Sequence, residues 1–195
     1  MDVMDAQAAL YTAAWADPAY RRACHGLTLW RTRPALFPER ITSAIDLGCG
    51  TGRLVAAWRA ENIEAYGVDL VAEASVDPTL RIAHPEWFTS SALEDFEPGR
   101  RYEVGVCADV LEHIAEDRVL AVLHRIRACC QMAVLLVANY PSAHAGQSLH
   151  PTLKTDYWWR TTLWAGLGGI VTPLRYERPG RAGQVYLYQW HAASA

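Results

Sequence analysis

Three glycines at alternate positions, Gly48, Gly50 and Gly52, follow a short apolar run that contains Asp46. Because glycine has no Cβ, the backbone can turn tightly here and let a ligand touch it. A helix predicted to begin at Arg53 directs free N–H groups and a partial positive charge toward the same place. The D-x-G-x-G-x-G spacing differs from the dinucleotide pattern G-x-G-x-x-G, which requires a glycine at position 53. An acid before the turn therefore favours a ligand that carries an ammonium group.

Asp69 ends a second apolar run, Gly67-Val68-Asp69-Leu70. It lies about as far beyond the glycines as the acid that meets a ribose diol in dinucleotide folds. Its two carboxylate oxygens can accept hydrogen bonds from both ribose hydroxyls, which other side chains do less well. A solvated aspartate at a strand end is the alternative interpretation, and the glycine-rich turn upstream favours the ribose role.

The segment from Asp46 to Gly52 resembles motif I of the class I S-adenosyl-L-methionine (SAM) dependent methyltransferases. A second segment, Cys107-Ala108-Asp109-Val110-Leu111-Glu112-His113-Ile114, resembles the signature after motif four of the same superfamily, often written DVLEHI. The specific similarity covers about residues 41–138. It implies SAM as the cofactor, S-adenosyl-L-homocysteine (SAH) as the product, and direct SN2 transfer of the methyl group without a metal ion or a covalent intermediate.

The resemblance also implies where the cofactor lies. Asp69 would bind the ribose, and the backbone around Ala108 would line the methionine part with Asp109 facing the cleft. Ser91 stands where an aspartate often occurs, so Ser91 or the backbone of Ala92 would contact the adenine. The full set of expected cofactor residues is Asp46, Gly48, Cys49, Gly50, Gly52, Asp69, Leu70, Ser91, Ala92, Ala108 and Asp109.

Two segments offer candidates for a catalytic base. In the first, Asp109 or His113 could take a proton, but hydrogen bonds from Glu112 and His113 that orient the turn are the favoured interpretation. The second, Leu149-His150-Pro151-Thr152 followed by Trp158-Trp159, resembles a pattern of uncharacterised methyltransferases of phage and bacterial type. His150 is the best candidate for a base or an acceptor-orienting residue, because imidazole titrates near neutral pH. A histidine that ties its loop to the domain by hydrogen bonds is an equal alternative.

From residue 41 onward apolar runs alternate with helical stretches, which predicts βαβ units and a parallel sheet. The resemblance implies an α/β, Rossmann-like doubly wound sheet of seven strands in the order 3-2-1-4-5-7-6, with strand 7 antiparallel and helices on both faces. The predicted strands are residues 43–47, 65–69, 87–89, 102–108, 132–138, 170–176 and 184–190. Residues 177–183 form the turn-rich connection before the last strand.

Residues 1–40 are predicted to be a helical appendage to the SAM-binding domain, residues 41–195. Between residues 18 and 43 there are five arginines and one acid, Glu39. Such a segment could be a lid that closes over SAM and holds an anionic acceptor. A solvated helix face is the commoner explanation of a charge run, and it is favoured here.

Composition limits the class of protein. With 195 residues, 51% of them hydrophobic, the chain is long enough for one domain with a buried core. A net charge of −3 argues against a general nucleic-acid-binding surface. The five cysteines lack C-x-x-C spacing, which favours reduced thiols. The acidic N-terminus is unlike a signal peptide, and apolar runs fall short of the roughly 20 residues that span a bilayer, so we expect a cytoplasmic protein without membrane contact.

These features predict a methyltransferase that modifies an oxygen or nitrogen atom of a small molecule, a glycan or a nucleotide. Two other classes stay open. A nucleic-acid-modifying methyltransferase would use the basic N-terminal segment to follow phosphates. A non-catalytic SAM-binding subunit would keep the cofactor residues without the chemistry. The oligomeric state is left open as well.

Overall fold

A seven-stranded sheet forms the centre of the computed structural model, which describes residues 3–181 and 183–193. The strands are β1 (Ser43–Leu47), β2 (Glu64–Asp69), β3 (Phe88–Ser90), β4 (Tyr102–Ala108), β5 (Cys130–Ala138), β6 (Ile170–Leu174) and β7 (Val185–His191). Their order is β3-β2-β1-β4-β5-β7-β6. Strands β1 to β5 pair in parallel, and β7 is antiparallel to both of its neighbours. The predicted fold and strand order are confirmed.

Of the helices in the described residues, two precede β1 and the other five connect strands of the sheet. They are α1 (Val3–Ala16), α2 (His25–Thr32), α3 (Arg53–Ala60), α4 (Ala72–Ser75), α5 (Pro78–Ala83), α6 (Val119–Cys129) and α7 (Asp156–Leu167). Short 3-10 turns occupy Tyr20–Arg22, Pro34–Leu36, Pro85–Trp87, Leu111–His113 and Glu116–Arg118. The loop after β5 carries a small hairpin formed by Ala143–His144 and Gln147–Ser148. None of the described helices is long and apolar enough to cross a membrane.

The sheet is buried on both faces, as β5 shows. Alternate side chains of a strand point to opposite faces, so a strand covered on both sides is apolar throughout. Ala133, Leu135 and Val137 pack on the face that α6 and α7 cover. Met132, Val134 and Leu136 pack on the other face, with the side chains of α2 and α3. This continuous apolar run is the reason that β5 could be predicted, although it begins at Cys130 rather than Met132.

The first forty residues pack closely against the rest of the protein. Leu29 of α2 is fully buried in the core beside Leu54 of α3 and Val106 of β4. Tyr11 of α1 packs with Val71 and Leu149. The helical character of this region agrees with the sequence, and its division from residues 41–195 stays a prediction. Within the predicted segments, residues 1, 2, 182, 194 and 195 lie outside the described structure.

Gly48 offers a test of the turn after β1. Its φ is +85°, a conformation that costs an L-residue about 1–3 kcal/mol, and an added Cβ would overlap the side chain of Val110. We expect Gly48→Ala to lower the free energy of unfolding by about 1–3 kcal/mol or more, measured by urea denaturation. Gly99→Ala is the control, because a Cβ there has no described atom within 4 Å. Equal stability of the two variants would contradict the strained turn.

Candidate active site

The glycine turn is fastened to the end of β2. The backbone N–H groups of Gly48 and Cys49 both donate to the carbonyl oxygen of Val68, at 2.8 and 2.9 Å. The next free N–H group, that of Gly50, donates to Asp69 Oδ2 at 2.9 Å. The turn therefore holds its shape through hydrogen bonds to the neighbouring strand and to the acid that ends it.

Asp69 is buried and accepts two backbone hydrogen bonds, from Gly50 and from Val71 at 3.1 Å. Burial raises the pKa of the Asp69 carboxyl above its ordinary value, and these two backbone hydrogen bonds oppose the shift. Each carboxylate oxygen has two lone pairs, so both oxygens can still accept a bond from a ligand hydroxyl.

A first cavity of about 100 Å³ opens beside Asp69. Six of the expected cofactor residues line it together: Gly48, Asp69, Leu70, Ser91, Ala92 and Asp109. The opposite wall comes from three aromatic side chains of the N-terminal region, those of Tyr11, Trp15 and Tyr20. The cavity thus has one polar edge and an aromatic wall, which suits a flat heterocycle carrying hydroxyl groups.

A second cavity of about 310 Å³ adjoins the first. The two share lining residues at Gly48, Asp109 and His113, so they form one continuous cleft at the carboxyl ends of the strands. The expected residues that line the second cavity are Asp46, Gly48, Cys49, Gly50, Ala108, Asp109 and His150. Gly52 is the exception among the three glycines, since it lines neither cavity. Its φ is +75° and a Cβ would lie 2.8 Å from the Phe88 side chain, so this glycine is needed for the turn into α3.

Asp46 is the least compensated charge of the cleft. Its side chain is 5% exposed, and no described residue donates a hydrogen bond to it or forms an ion pair with it. Burial raises the pKa of the Asp46 carboxyl well above its ordinary value, and the negative charge of Asp69 raises it further. A buried carboxylate in this state favours a cationic ligand, since an opposite charge would restore its ionised form.

The N-terminal region covers the cleft. The ring of Trp15 lies over Gly50, where a Cβ would approach it to 2.9 Å, and it packs edge-on against Tyr20. Arg21 donates to the carbonyl oxygens of Trp15 and Ala74. Arg53 donates in turn to the carbonyl oxygens of residues 21 and 22. Arg21 and Arg53 therefore fasten this cover to α3 and α4, a role that neither sequence-based interpretation of the arginine-rich segment included.

Asp109 is held by two cationic or protonatable partners. Arg178 Nη2 donates to both of its carboxylate oxygens, at 2.7 and 3.0 Å, and His25 Nε2 lies 3.2 Å from Oδ2. Arg178 also donates to the hydroxyl of Tyr140 at 2.8 Å. Burial works against the guanidinium charge, but the charge and hydrogen bonds of Asp109 raise the pKa of Arg178. Because Arg178 and His25 already contact both carboxylate oxygens of Asp109, the geometry favours a positioning role over a base.

Three further side chains meet on the wall of the second cavity. Glu112, His113 and His150 each offer one metal-ligating atom, and these atoms all lie within 4.8 Å of one another. The two imidazole rings meet edge to face, with 4.5 Å between their centroids. Glu112 Oε1 accepts a hydrogen bond from the N–H of Ala138 at 3.0 Å, which is the orienting role expected from the sequence. His150 is tied to its loop, since its Nδ1 lies 2.6 Å from the carbonyl oxygen of Tyr140.

Burial shifts the pKa of each of these three groups in the direction that favours its uncharged form. Burial lowers the pKa of His113 to about 3, with a further contribution from His150. Burial also lowers the pKa of His150. For Glu112, burial and then the charge of Asp109 raise the pKa well above its ordinary value. Both imidazoles are therefore neutral bases, and their unprotonated nitrogens can act as ligands.

A family model for the methyltransferase domain matches residues 13–168, well over half of the chain. This protein belongs to the methyltransferase-domain family. The prediction of a methyltransferase from the turn after β1 and the segment after β4 is confirmed.

The relatives of this methyltransferase include a ubiquinone biosynthesis O-methyltransferase of Methylococcus capsulatus, 29% identical over 97 residues. That alignment covers 46% of the chain and 38% of the relative, so the match spans well under half of the relative's length. A 1,6-didemethyltoxoflavin-N1-methyltransferase of Burkholderia thailandensis, solved with SAH, has a TM-score of 0.67 and 19% identity over 100% of this chain and 92% of its own. The magnesium protoporphyrin IX methyltransferase of Synechocystis PCC 6803 was solved with SAM bound. It has a TM-score of 0.60 and 17% sequence identity, and the match covers 87% of this chain and 80% of its own.

Some residues of this cleft were outside the predicted set. Arg178 follows β6 and lies 69 residues from Asp109 along the chain, and no sequence pattern connects the two. Trp15 and Tyr20 had a weak signal, since the N-terminal region is rich in aromatic residues. Glu112 and His113 stood within a matched segment, but only the fold brings His150 beside them.

Asp46→Asn tests the uncompensated carboxylate. Because the pKa of Asp46 is raised in the folded protein, the folded state holds a proton that the unfolded state releases above about pH 4, and wild-type stability falls as pH rises through that window. The variant cannot ionise there. We therefore expect the difference in thermal midpoint between Asp46→Asn and the wild type to shift in favour of the variant when the pH rises from 4 to 7.

The exposed Asp95 supplies the control, since Asp95→Asn should show no such pH-dependent gain. Thermal unfolding followed by circular dichroism at both pH values gives the comparison. If Asp46→Asn loses stability as pH rises, Asp46 is stabilised as an anion and the physical description of the site is wrong.

Proposed function

We propose that this methyltransferase binds SAM along the whole cleft and transfers its methyl group to an oxygen or nitrogen atom of a small molecule, a glycan or a nucleotide. The observation that carries the proposal is the convergence of Asp46, Asp69 and Ser91 on one continuous cleft at the carboxyl ends of β1 to β3. Two similar structures were solved with SAM or SAH bound, which supports the same cofactor here.

Each part of the cofactor has a matching part of the cleft. The adenine would lie in the first cavity against Leu70, Ser91 and Ala92, and the ribose hydroxyls would donate to Asp69. The methionine part would lie in the second cavity along Gly48 and Ala108. Its ammonium group would neutralise Asp46, the buried carboxylate that has no cationic partner among the described residues.

The transfer needs little from the protein beyond position. The sulfonium is an activated donor, so holding the acceptor atom in line with the carbon–sulfur bond supplies much of the rate. The acceptor forms the new bond to the methyl carbon, the old bond's electron pair stays on sulfur to give SAH, and the acceptor's proton leaves to water. His150 lines the cavity and is the candidate for orienting the acceptor.

A small acceptor fits the enclosed cleft better than a nucleic acid. Trp15 and Tyr20 line both cavities, and Arg21 of the same segment donates to backbone carbonyls. Arg118, which lines the first cavity, pairs with Glu94. The named relative is an O-methyltransferase and one structural neighbour is an N1-methyltransferase, so both acceptor elements have support.

Calorimetric titration with SAH and with 5′-methylthioadenosine tests the cofactor assignment. Asp69 would contact the ribose of both ligands, so Asp69→Asn should weaken the binding of both by about tenfold or more. This is the loss expected for removal of a hydrogen bond to a charged group. Asp46 would contact only the amino acid part. Asp46→Asn should therefore lower the affinity for SAH by a similar factor and leave the affinity for 5′-methylthioadenosine unchanged.

Thermal unfolding of each variant shows that it is folded, and Asp95→Asn should bind both ligands like wild type. Absence of SAH binding to the folded wild-type protein would refute the proposal. Incubation with labelled SAM and a cell extract then separates the remaining classes. Label in the small-molecule fraction supports the proposal, label in nucleic acid supports the nucleic-acid alternative, and SAH binding without labelled product indicates a non-catalytic subunit.

A further inference from the structure

We propose that Glu112, His113 and His150 form a binding site for a first-row divalent transition-metal ion at the acceptor end of the cleft. The inference deepens the proposed function and rests on it for the identity of the acceptor end. It also departs from the sequence-based expectation that no metal ion takes part.

The first support is the uncommitted oxygen of Glu112. The side chain is fully buried, and Oε1 accepts a hydrogen bond from Ala138. Oε2 is buried as well and has no hydrogen-bond partner among the described residues. Burying a carboxylate oxygen without a hydrogen-bond partner costs free energy, and a bound ligand would remove that cost. Glu112 belongs to the same three-residue cluster as the two imidazoles, so a single metal ion could bind all three side chains.

The second support is the state of the two imidazoles. The Tyr11 hydroxyl lies 2.7 Å from His113 Nδ1 and 3.2 Å from the carbonyl oxygen of Leu149. When the hydroxyl donates its one proton to Leu149, it accepts a hydrogen bond from His113, and His113 Nδ1 then carries the ring proton. His150 Nδ1 faces the carbonyl oxygen of Tyr140, which can only accept, so this nitrogen is protonated too. Each ring is left with a free lone pair on Nε2.

This arrangement is typical of metal-binding histidines, which donate their other ring N–H to a carbonyl or hydroxyl oxygen that holds the ring in place. Two imidazole nitrogens and one carboxylate oxygen suit Mn²⁺, Fe²⁺, Co²⁺ or Zn²⁺. They suit Mg²⁺ less, because Mg²⁺ prefers oxygen ligands. Asp109 is not part of the set, since Arg178 and His25 bind its carboxylate.

The site has a direct consequence for the acceptor. All three ligands line the second cavity, where Asp46 and Ala108 would hold the methionine part of SAM. Three protein ligands would leave at least one coordination position available to an acceptor group. A hydroxyl group bound there would lose its proton to water more easily, and its oxygen would then attack the methyl carbon. The geometry thus points to an acceptor that carries a metal-ligating hydroxyl group.

Calorimetric titration of chelator-treated, dialysed protein with Zn²⁺ and with Mn²⁺ tests the site. We expect one ion per chain, with weaker binding of Mg²⁺. Loss of an outer partner of a metal ligand costs about 10–100-fold in affinity, so loss of a ligand should cost at least as much. Glu112→Gln, His113→Gln and His150→Gln should each weaken binding to that extent. Glu112→Gln keeps an oxygen for the N–H of Ala138, which preserves the fold around it.

His84→Gln is the matched control, since His84 lies beside Glu86 on the surface, 3.8 Å away, and should bind no ion in the cleft. Visible absorption of the Co²⁺-loaded protein gives a second readout, because its bands report nitrogen ligands and should change in the three variants only. Failure to bind Zn²⁺ or Mn²⁺, or binding that the three substitutions leave unchanged, would overturn the proposal. SAH titration in the presence of chelator is measured separately, so loss of the metal site and loss of the proposed function give different results.

Discussion

The burial of two carboxylates at the ends of neighbouring parallel strands is the constraint around which this methyltransferase is built. Asp46 and Asp69 lie at the same edge of the sheet because β1 and β2 run in parallel, with Asp46 opposite Gly67. The glycine turn between the strands can then use its N–H groups to hold Asp69. Asp46 receives no such bond from the described residues, so nothing among them offsets the cost of burying its charge.

The N-terminal region turns this open edge into an enclosed cleft. Parallel strands place their carboxyl ends at an exposed surface, where a bound cofactor would be partly solvated. Trp15 and Tyr20 cover that surface, while Leu29 ties the same region into the core. Exclusion of water strengthens every electrostatic contact inside the cleft, including those of the buried carboxylates.

The second cavity contains two polar groups with different characters. Arg178 and His25 hold Asp109 in a closed set of hydrogen bonds, which positions the turn after β4. The neighbouring cluster at Glu112 is open, because the buried Oε2 of Glu112 lacks a hydrogen-bond partner among the described residues. A satisfied network rigidifies a structure, whereas an unpaired buried polar atom requires a specific explanation, of which a ligand site is one. The proposed metal site at Glu112, His113 and His150 supplies that explanation here.

Local patterns made much of the fold predictable. β1 and β4 have the predicted bounds, because each is a short apolar run bounded by turn residues, and this local pattern is typical of a buried strand. The small helices α4 and α5 lay in a stretch of weak periodicity, and the small hairpin after β5 had no pattern of its own. By itself the sequence determined the strand–turn–helix unit and the acids that end β1 and β2, since these depend on neighbouring residues. Only the tertiary structure decided that Arg178 meets Asp109 and that His150 meets His113, because such contacts join side chains that are distant along the chain and depend on how the sheet and loops pack.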